Sequence, residues 1–242
     1  MNVRDLYTKL SSAYGPRGWW PLNKPSVPRA WQQFEIMAGA VLVQNASWVN
    51  ASRAVQNLVT QGLTDTKVIL KVPQPELAQL IRSAGYHNQK AKKLHILAAA
   101  CEKNAWLHSD ADDARPAKTP TRQELLELWG IGPETADCIL LYAFEQPEFV
   151  VDTYLRRLVS RLGRALSLDC AADAPYDILA QSFMHAIEEQ HPRFELPARV
   201  RYHGEYHALV VEHAKQHCRA KPLCQDCPFA SVCETNAGTR AA

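Results

Sequence analysis

Apolar residues recur at helical spacing along nearly the whole chain, and no stretch alternates long enough to predict a strand. "AWQQFEIMAGAVLVQ" predicts a helix over 30–44, and "SWVNASRAVQNLVTQ" a second one with Ser47 as its N-cap. "PELAQLIRSAG" places Pro75 at a first helical position and Gly85 at the exit. A long helix is expected over "NQKAKKLHILAAACEKNAW", and "TRQELLELWG" carries Thr121 and Glu124 in capping-box spacing. Further helices are predicted over 152–162, 174–190 and 196–217. The Pro-rich segment at 21–28 and the acidic stretch near 109–120 read as connections, not as evidence for separate modules. The predicted fold class is all-α.

Length and composition fit that picture. The 242 residues suffice for one large or two modest domains with a packed core. The chain is 47% hydrophobic and 21% charged, with no apolar run near the roughly 18 residues that span a membrane. "MNVRDLYTKL" has an acid in its first turn and no apolar core, so no secretory signal is expected and the location is read as cytoplasmic. A net charge of +2 says little about nucleic acid by itself. The basic runs "NQKAKKLHILAAACEK" and "YLRRLVSRLGR" are either solvated helix faces or polyanion contacts.

Four of the seven cysteines fall in the last 25 residues, in "HCRAKPLCQDCPFASVC". Cys218, Cys224, Cys227 and Cys233 give C-x5-C-x2-C-x5-C, a spacing that can ligate a [4Fe–4S] cluster or a tetrahedral zinc. Disulfides fit a cytosolic chain less well. Cys101, Cys138 and Cys170 are scattered among helical residues and read as core or inert thiols.

"ELLELWGIGPETADCILLYAF" reads as helix, tight turn, helix. Gly130 and Gly132 permit a turn that side chains would crowd, and Pro133 suits the first position of the second helix. Backbone N–H groups at such a corner make an anion site that needs no base recognition. Eighteen positions after Glu134, Asp152 in "VVDTYLRRLVSRLG" opens another helix. It suits an N-cap, and a carboxylate in that position can also face a ligand. Arg156, Arg157 and Arg161 on the same helix suit phosphate binding or surface salt links.

The glycine hairpin, the aspartate at this distance and the four-cysteine tail together resemble the helix-hairpin-helix, Gly/Pro-Asp DNA glycosylases of the endonuclease III type. The resemblance covers nearly the whole chain. It implies a six-helix barrel over 29–147, with the hairpin at 121–144, and a second domain of 1–28 with 148–242. It also implies a [4Fe–4S] cluster on Cys218, Cys224, Cys227 and Cys233 rather than zinc, although the first spacing is one residue shorter than the usual x6. Double-stranded DNA containing a damaged base, bound by a monomer on the bacterial nucleoid, is the implied partner.

By the same resemblance Asp152 is the active-site carboxylate, and Gly130, Ile131, Gly132 and Thr135 hold the DNA backbone. Gln44 matches a wedge that fills the vacated base stack. Bifunctional members carry a Schiff-base lysine where this chain has Glu134, so strand-cleaving lyase chemistry is expected to be weak or absent. Adenine-excising members carry a glutamate at the position of Ala40, and the nine residues after Cys233 leave no room for their extra recognition domain. Three stretches, "GWWPLNKPSVPRAWQQFEIMAGAVLVQNASW", "SAGYHNQKAKKL" and "GIGPETADCILLYAFEQPEFVVD", are similar to the 3-methyladenine glycosylase branch. That likeness implies a lesion pocket lined by Trp19 or Trp20, by Trp48 and by Lys215, with Tyr86, Asn88 and Lys90 as backbone or pocket contacts. Aromatic faces suit a cationic alkylated purine. Uracil, mismatched thymine or an oxidised pyrimidine is the alternative substrate. A DNA-binding iron–sulfur protein without turnover is the alternative function.

Overall fold

The helical repeats form eleven α-helices and no strand among the residues that the computed structural model describes, 1–23, 26–107 and 118–236. They are α1 (Val3–Tyr14), α2 (Arg29–Leu42), α3 (Trp48–Thr60), α4 (Thr66–Ile69), α5 (Gln74–Leu80) and α6 (His87–Asn104). There follow α7 (Arg122–Leu126), α8 (Pro133–Ala143), α9 (Thr153–Leu162), α10 (Tyr176–Gln190) and α11 (Leu196–Gln216). The all-α expectation is met. Most of the acidic connection expected at 109–120, and Lys24 and Pro25 of the Pro-rich one, lie outside the described residues.

The chain divides into two compact units, Met1–Trp19 with Pro147–Ala242, and Trp20–Gln146. In the first unit, α1 packs on α10 and α11, and α9 packs on α11. Leu6 and Leu10 of α1, Leu155, Leu158 and Leu162 of α9, and Phe183 of α10 interlock in one core. Tyr206 of α11 stands at its centre, with its hydroxyl donating to Val3 O at 3.0 Å. That bond satisfies a polar group with no access to water, which would otherwise cost about 1–3 kcal/mol. The N-terminal helix, which the periodicity left unassigned, is thus a core element of the unit built by the C-terminal half.

The second unit holds six helices and the single-turn α4. Its axis is α2, which packs against α3, α6 and α8. Every residue of α2 from Gln33 to Leu42 is buried, the mark of an interior helix rather than an amphipathic surface one. The predicted 75–85 helix is in two pieces, because α5 stops at Leu80 and a 3₁₀ turn over Arg82–Ala84 reaches Gly85. Gly85 adopts φ 68 and Tyr86 φ 46, so the chain reverses there before α6.

Local capping fixes where the functional segments begin. Ser47 accepts from Asn50 N at 3.3 Å, as its place before α3 predicts. Thr121 and Glu124 form the complete capping box of α7. Asp152 caps α9, its Oδ1 accepting from Leu155 N at 2.7 Å.

Candidate active site

In the first unit the apolar pair Val150 and Val151 is buried, and it delivers Asp152 to the head of α9. Asp152 is only 6% exposed. One oxygen is used by the N-cap; the other, Oδ2, lies 3.6 Å from His207 Nε2 of α11. Trp19 stands edge-on to the His207 ring, with centroids 5.5 Å apart. Lys215, two turns further along α11, places Nζ 5.8 Å from the centre of the same Trp19 ring. Asp152, His207, Trp19 and Lys215 therefore form one constellation, of which the sequence pointed to three.

The other end of α9 meets the cysteine tail. Arg157 Nε donates to Cys218 O at 2.7 Å. Arg161 Nη1 lies 3.2 Å from Cys218 Sγ, and its guanidinium also donates to Arg219 O and Ala220 O. Arg156 donates to Ala172 O and Ala174 O. The expectation that these arginines serve phosphates or surface salt links is corrected: each is spent on backbone carbonyls that it ties to α9.

Cys218, Cys224, Cys227 and Cys233 all line one cavity, walled also by Leu158, Leu162 and Phe229. The four-thiol expectation is met only in part, since no three His, Cys, Asp or Glu side chains among the described residues gather closely enough for a single ion. The donor set still fits a metal group. Burial first, and then the charge of the neighbouring cysteines, pushes the Cys227 thiol above its ordinary range. Four thiolates in such a space call for cationic compensation. Arg161 supplies part of it.

In the second unit the hairpin runs from α7 through a turn to α8, and Arg122 pins its arms together by donating to both Asp137 carboxylate oxygens. Gly130 adopts φ 83, and a Cβ there would overlap Lys93 Cε. Gly132 differs from the sequence expectation: its φ is −99 and open space surrounds it. It caps α8 without any side-chain bond, so the first N–H groups of that helix are not capped by its own side chain. Thr135 and Ile131 are buried, and Glu134 is exposed in the first turn of α8.

Gln44 lies beyond the end of α2 rather than in its last turn, because Asn45 takes φ 51 and redirects the chain to Ser47. Its amide nitrogen donates to Thr135 Oγ1 at 2.8 Å and to Gly130 O at 3.1 Å. Lys93 Nζ donates to its oxygen at 2.5 Å, and Lys92 Nζ sits 4.4 Å over the Trp129 ring. The basic face of α6 is therefore directed at the hairpin turn. Lys90 is not part of it. Only 2% exposed, it donates to Leu42 O and Ala84 O, and burial followed by the Lys93 charge lowers its pKa to about 8. It braces the two segments and is not available as a ligand contact, whereas Tyr86 is 64% exposed.

Trp20 and Trp48 meet edge to face at 5.2 Å, and Tyr142 of α8 closes on Trp20 at 5.3 Å. Trp20 lies directly on α2: a Cβ at Gly39 would come within 2.8 Å of its Cζ2. Three residues on, Asn23 donates from N and Nδ2 to the buried Glu35, at 2.7 and 2.6 Å. Gly39 and Glu35 are one turn apart on α2, so the Trp20–Asn23 segment is held at both ends along that helix. Trp19, in the first unit, stands against His207.

Sequence reasoning missed His207, Lys93, Tyr142 and Gly39. Only His207 carried a usable signal, since it and Lys215 fall eight positions apart on one predicted helix, which places them on one face.

Residues 38–172 match the family model described as HhH-GPD superfamily base excision DNA repair protein. A protein of Methanocaldococcus jannaschii, named provisionally as a DNA repair glycosylase, is 37% identical over 234 residues, covering 96% of this chain and 95% of its own. The crystal structure of Helicobacter pylori 3-methyladenine DNA glycosylase (MagIII), bound to 1,N6-ethenoadenine, superposes with a TM-score of 0.72 at 26% identity. That match covers 89% of this chain and 98% of the other. An Endonuclease III–DNA complex shares the fold, with a TM-score of 0.75 at 21% identity over 99% of this chain and 97% of its own. A glycine hairpin, a buried aspartate at the head of the following helix and these likenesses lead to one conclusion: the chain belongs to the HhH-GPD superfamily of base excision DNA repair proteins and is a DNA glycosylase.

Proposed function

We propose that this glycosylase excises alkylated purines such as 3-methyladenine from duplex DNA by hydrolysis, leaving an abasic site without nicking the strand. The observation that carries the reading is the Trp20, Trp48 and Tyr142 group seated on Gly39. An N-alkylated purine is cationic, and a desolvated cation against aromatic faces gains about 2 kcal/mol. The likeness to the H. pylori 3-methyladenine enzyme supports the same substrate class. Such a base is already a good leaving group, so the protein has mainly to extrude the nucleotide and stabilise a cationic sugar.

Asp152 supplies that stabilisation in this scheme. Its Oδ1 is committed to the helix cap, which leaves Oδ2 for the developing positive charge or for orienting water. Gln44 acts as the wedge, and the α8 N-terminus with Gly130, Ile131, Gly132 and Thr135 receives a phosphate. Gly132 supports this role because neither its backbone angle nor its surroundings require glycine. An approaching DNA backbone does. Glu134 offers no amine for an imine, which supports simple hydrolysis. Lys215, 5.8 Å from the centre of the Trp19 ring, is the lysine of the pocket in this scheme.

The cysteine cavity suits a [4Fe–4S] cluster better than zinc. A single zinc would draw its four sulfurs to about 3.8 Å from one another, and these thiols are spread around a cavity instead. Bound there, the cluster would staple the tail to α9. In this reading the protein works on chromosomal DNA in the cytoplasm, as a monomer.

A panel of single-lesion duplexes, each incubated with and without alkali, tests the reading. Release of 3-methyladenine with breaks only after alkali is expected. Preferential removal of uracil, mismatched thymine or oxidised pyrimidines would overturn the substrate, and breaks without alkali would overturn the role of Glu134. Iron analysis with a visible absorption spectrum decides between cluster and zinc.

A further inference from the structure

Asp152 divides its two oxygens between two partners. Oδ1 closes the N-cap of α9, while Oδ2 faces His207 Nε2 at 3.6 Å. Both side chains are nearly sealed from solvent, at 9% and 8% exposure. A separation of 3.6 Å is longer than a hydrogen bond, so His207 guides the carboxylate without consuming the acceptor capacity of Oδ2. The imidazole itself is held on two sides. Its backbone lies in the middle of the 21-residue α11, and Trp19 packs edge-on against the ring.

The other charged and titratable groups around this constellation have partners of their own. Glu205, on the same helix, accepts from the backbone N–H groups of Arg17 and Gly18. Arg17 is paired with Glu212. His203, one turn earlier, engages Glu148 O at 3.1 Å, and burial lowers its pKa to about 4. Lys215 points to the Trp19 ring.

We propose that His207 is the positioning residue of the excision site: with its proton on Nε2, it aims Asp152 Oδ2 at the sugar of the extruded nucleotide. The cap on Oδ1 fixes one end of the carboxylate plane, and His207 fixes its rotation about that anchor. Electrostatic stabilisation depends steeply on aim, and misplacement on the scale of 1 Å costs about 100-fold in rate. His207 does not touch substrate in this scheme. The inference rests on Asp152 being the excision carboxylate.

The test uses the full-length protein and whichever lesion duplex of the panel it cleaves fastest, under single-turnover conditions. His207→Phe keeps a ring against Trp19 and removes the donor; His207→Gln keeps a donor on a flexible stem. His207→Phe is expected to lower the excision rate about 10- to 100-fold while duplex affinity changes less than about threefold, and His207→Gln to recover most of that rate. Wild-type rate in His207→Phe, or equal losses in both variants, overturns the proposal. If His207→Phe does not fold, His207→Leu, which also removes the donor, takes its place: a rate lowered about 10- to 100-fold with little change in affinity supports positioning, and a wild-type rate overturns it. Asp152→Asn is run alongside. If it remains fully active, the role of Asp152 itself is wrong; if it is inactive while His207→Phe is unaffected, only the role of His207 is wrong.

Discussion

Lys93 Nζ donates to Gln44 Oε1 at 2.5 Å, while the nitrogen of the same amide donates to Thr135 Oγ1 and Gly130 O. The ammonium thereby decides which way the amide faces: oxygen toward α6, nitrogen toward the hairpin. Burial holds Lys93 below the ordinary lysine range, and the acceptor of its ammonium is an amide oxygen. A wedge residue gains from such fixing, because side-chain freedom lost before DNA arrives is not lost again on binding.

Lys93→Met should therefore impair base extrusion without touching chemistry. The loss expected is about 10- to 100-fold, the worth of one hydrogen bond to a charged donor. Fluorescence of 2-aminopurine placed opposite or beside the lesion measures extrusion directly. An unchanged signal in Lys93→Met, with a reduced one in Gln44→Ala, would show that the wedge works without its brace.

Asp152 has a structural and a chemical task, and two substitutions separate them. Asn keeps an acceptor at the N-cap of α9, so Asp152→Asn should melt close to wild type and lose excision. Asp152→Ala should lose excision and also about 1 kcal/mol of stability, the usual worth of a cap. Thermal unfolding of the two variants beside single-turnover assays checks both halves.

The two hairpin glycines should separate in the opposite way. Gly130→Ala forces a side chain into a left-handed backbone against Lys93, at a cost of about 2 kcal/mol or more. Gly132→Ala meets neither obstacle and should stay within about 0.5 kcal/mol of wild type. Duplex affinity should nevertheless fall in Gly132→Ala, with a flatter dependence on salt. Equal melting temperatures for the two variants would contradict the geometry described.

Acid should loosen the hairpin at its first helix. Lys118, then the Thr121 amide and hydroxyl, hold the Glu124 carboxyl at a pKa of about 2. A carboxylate depressed in the folded state stabilises fully above its unfolded range near 4.3, and that contribution is lost as pH falls toward 2. The stability difference between wild type and Glu124→Gln should be constant above about pH 5 and shrink below it. Hydrogen exchange at the Thr121 amide, followed along the same titration, reports the cap itself.

Much of this molecule was legible as local chemistry. Ser47, Thr121 with Glu124, and Asp152 announced helix starts because capping is a bond between residues two or three positions apart. Periodicity located most of the long helices for the same reason. It overran at Gln44 and at 81–85, where positive backbone angles at Asn45, Gly85 and Tyr86 end the repeat while the composition still looks helical. It also missed α1, whose apolar stripe is short but lies wholly in a core made by residues some 150 positions away.

Candidate chemistry divided along the same line. Sequence by itself marked the hairpin, Asp152 as a helix cap and the cysteine spacing, each a residue type in a fixed local pattern, while the resemblance to the endonuclease III type marked Asp152 as a carboxylate candidate and Glu134 as the place of a lyase lysine. Tertiary structure alone decided that the α9 arginines serve carbonyls, that Lys90 is buried, that Trp19 meets His207 and that Trp20 meets Trp48. It alone joined His207 to Asp152, and Lys93 to Gln44. Those pairs are 55 and 49 positions apart, and no propensity or spacing rule acts over such distances. Only the packing of buried helices, which fixes where each face points, brings them within reach.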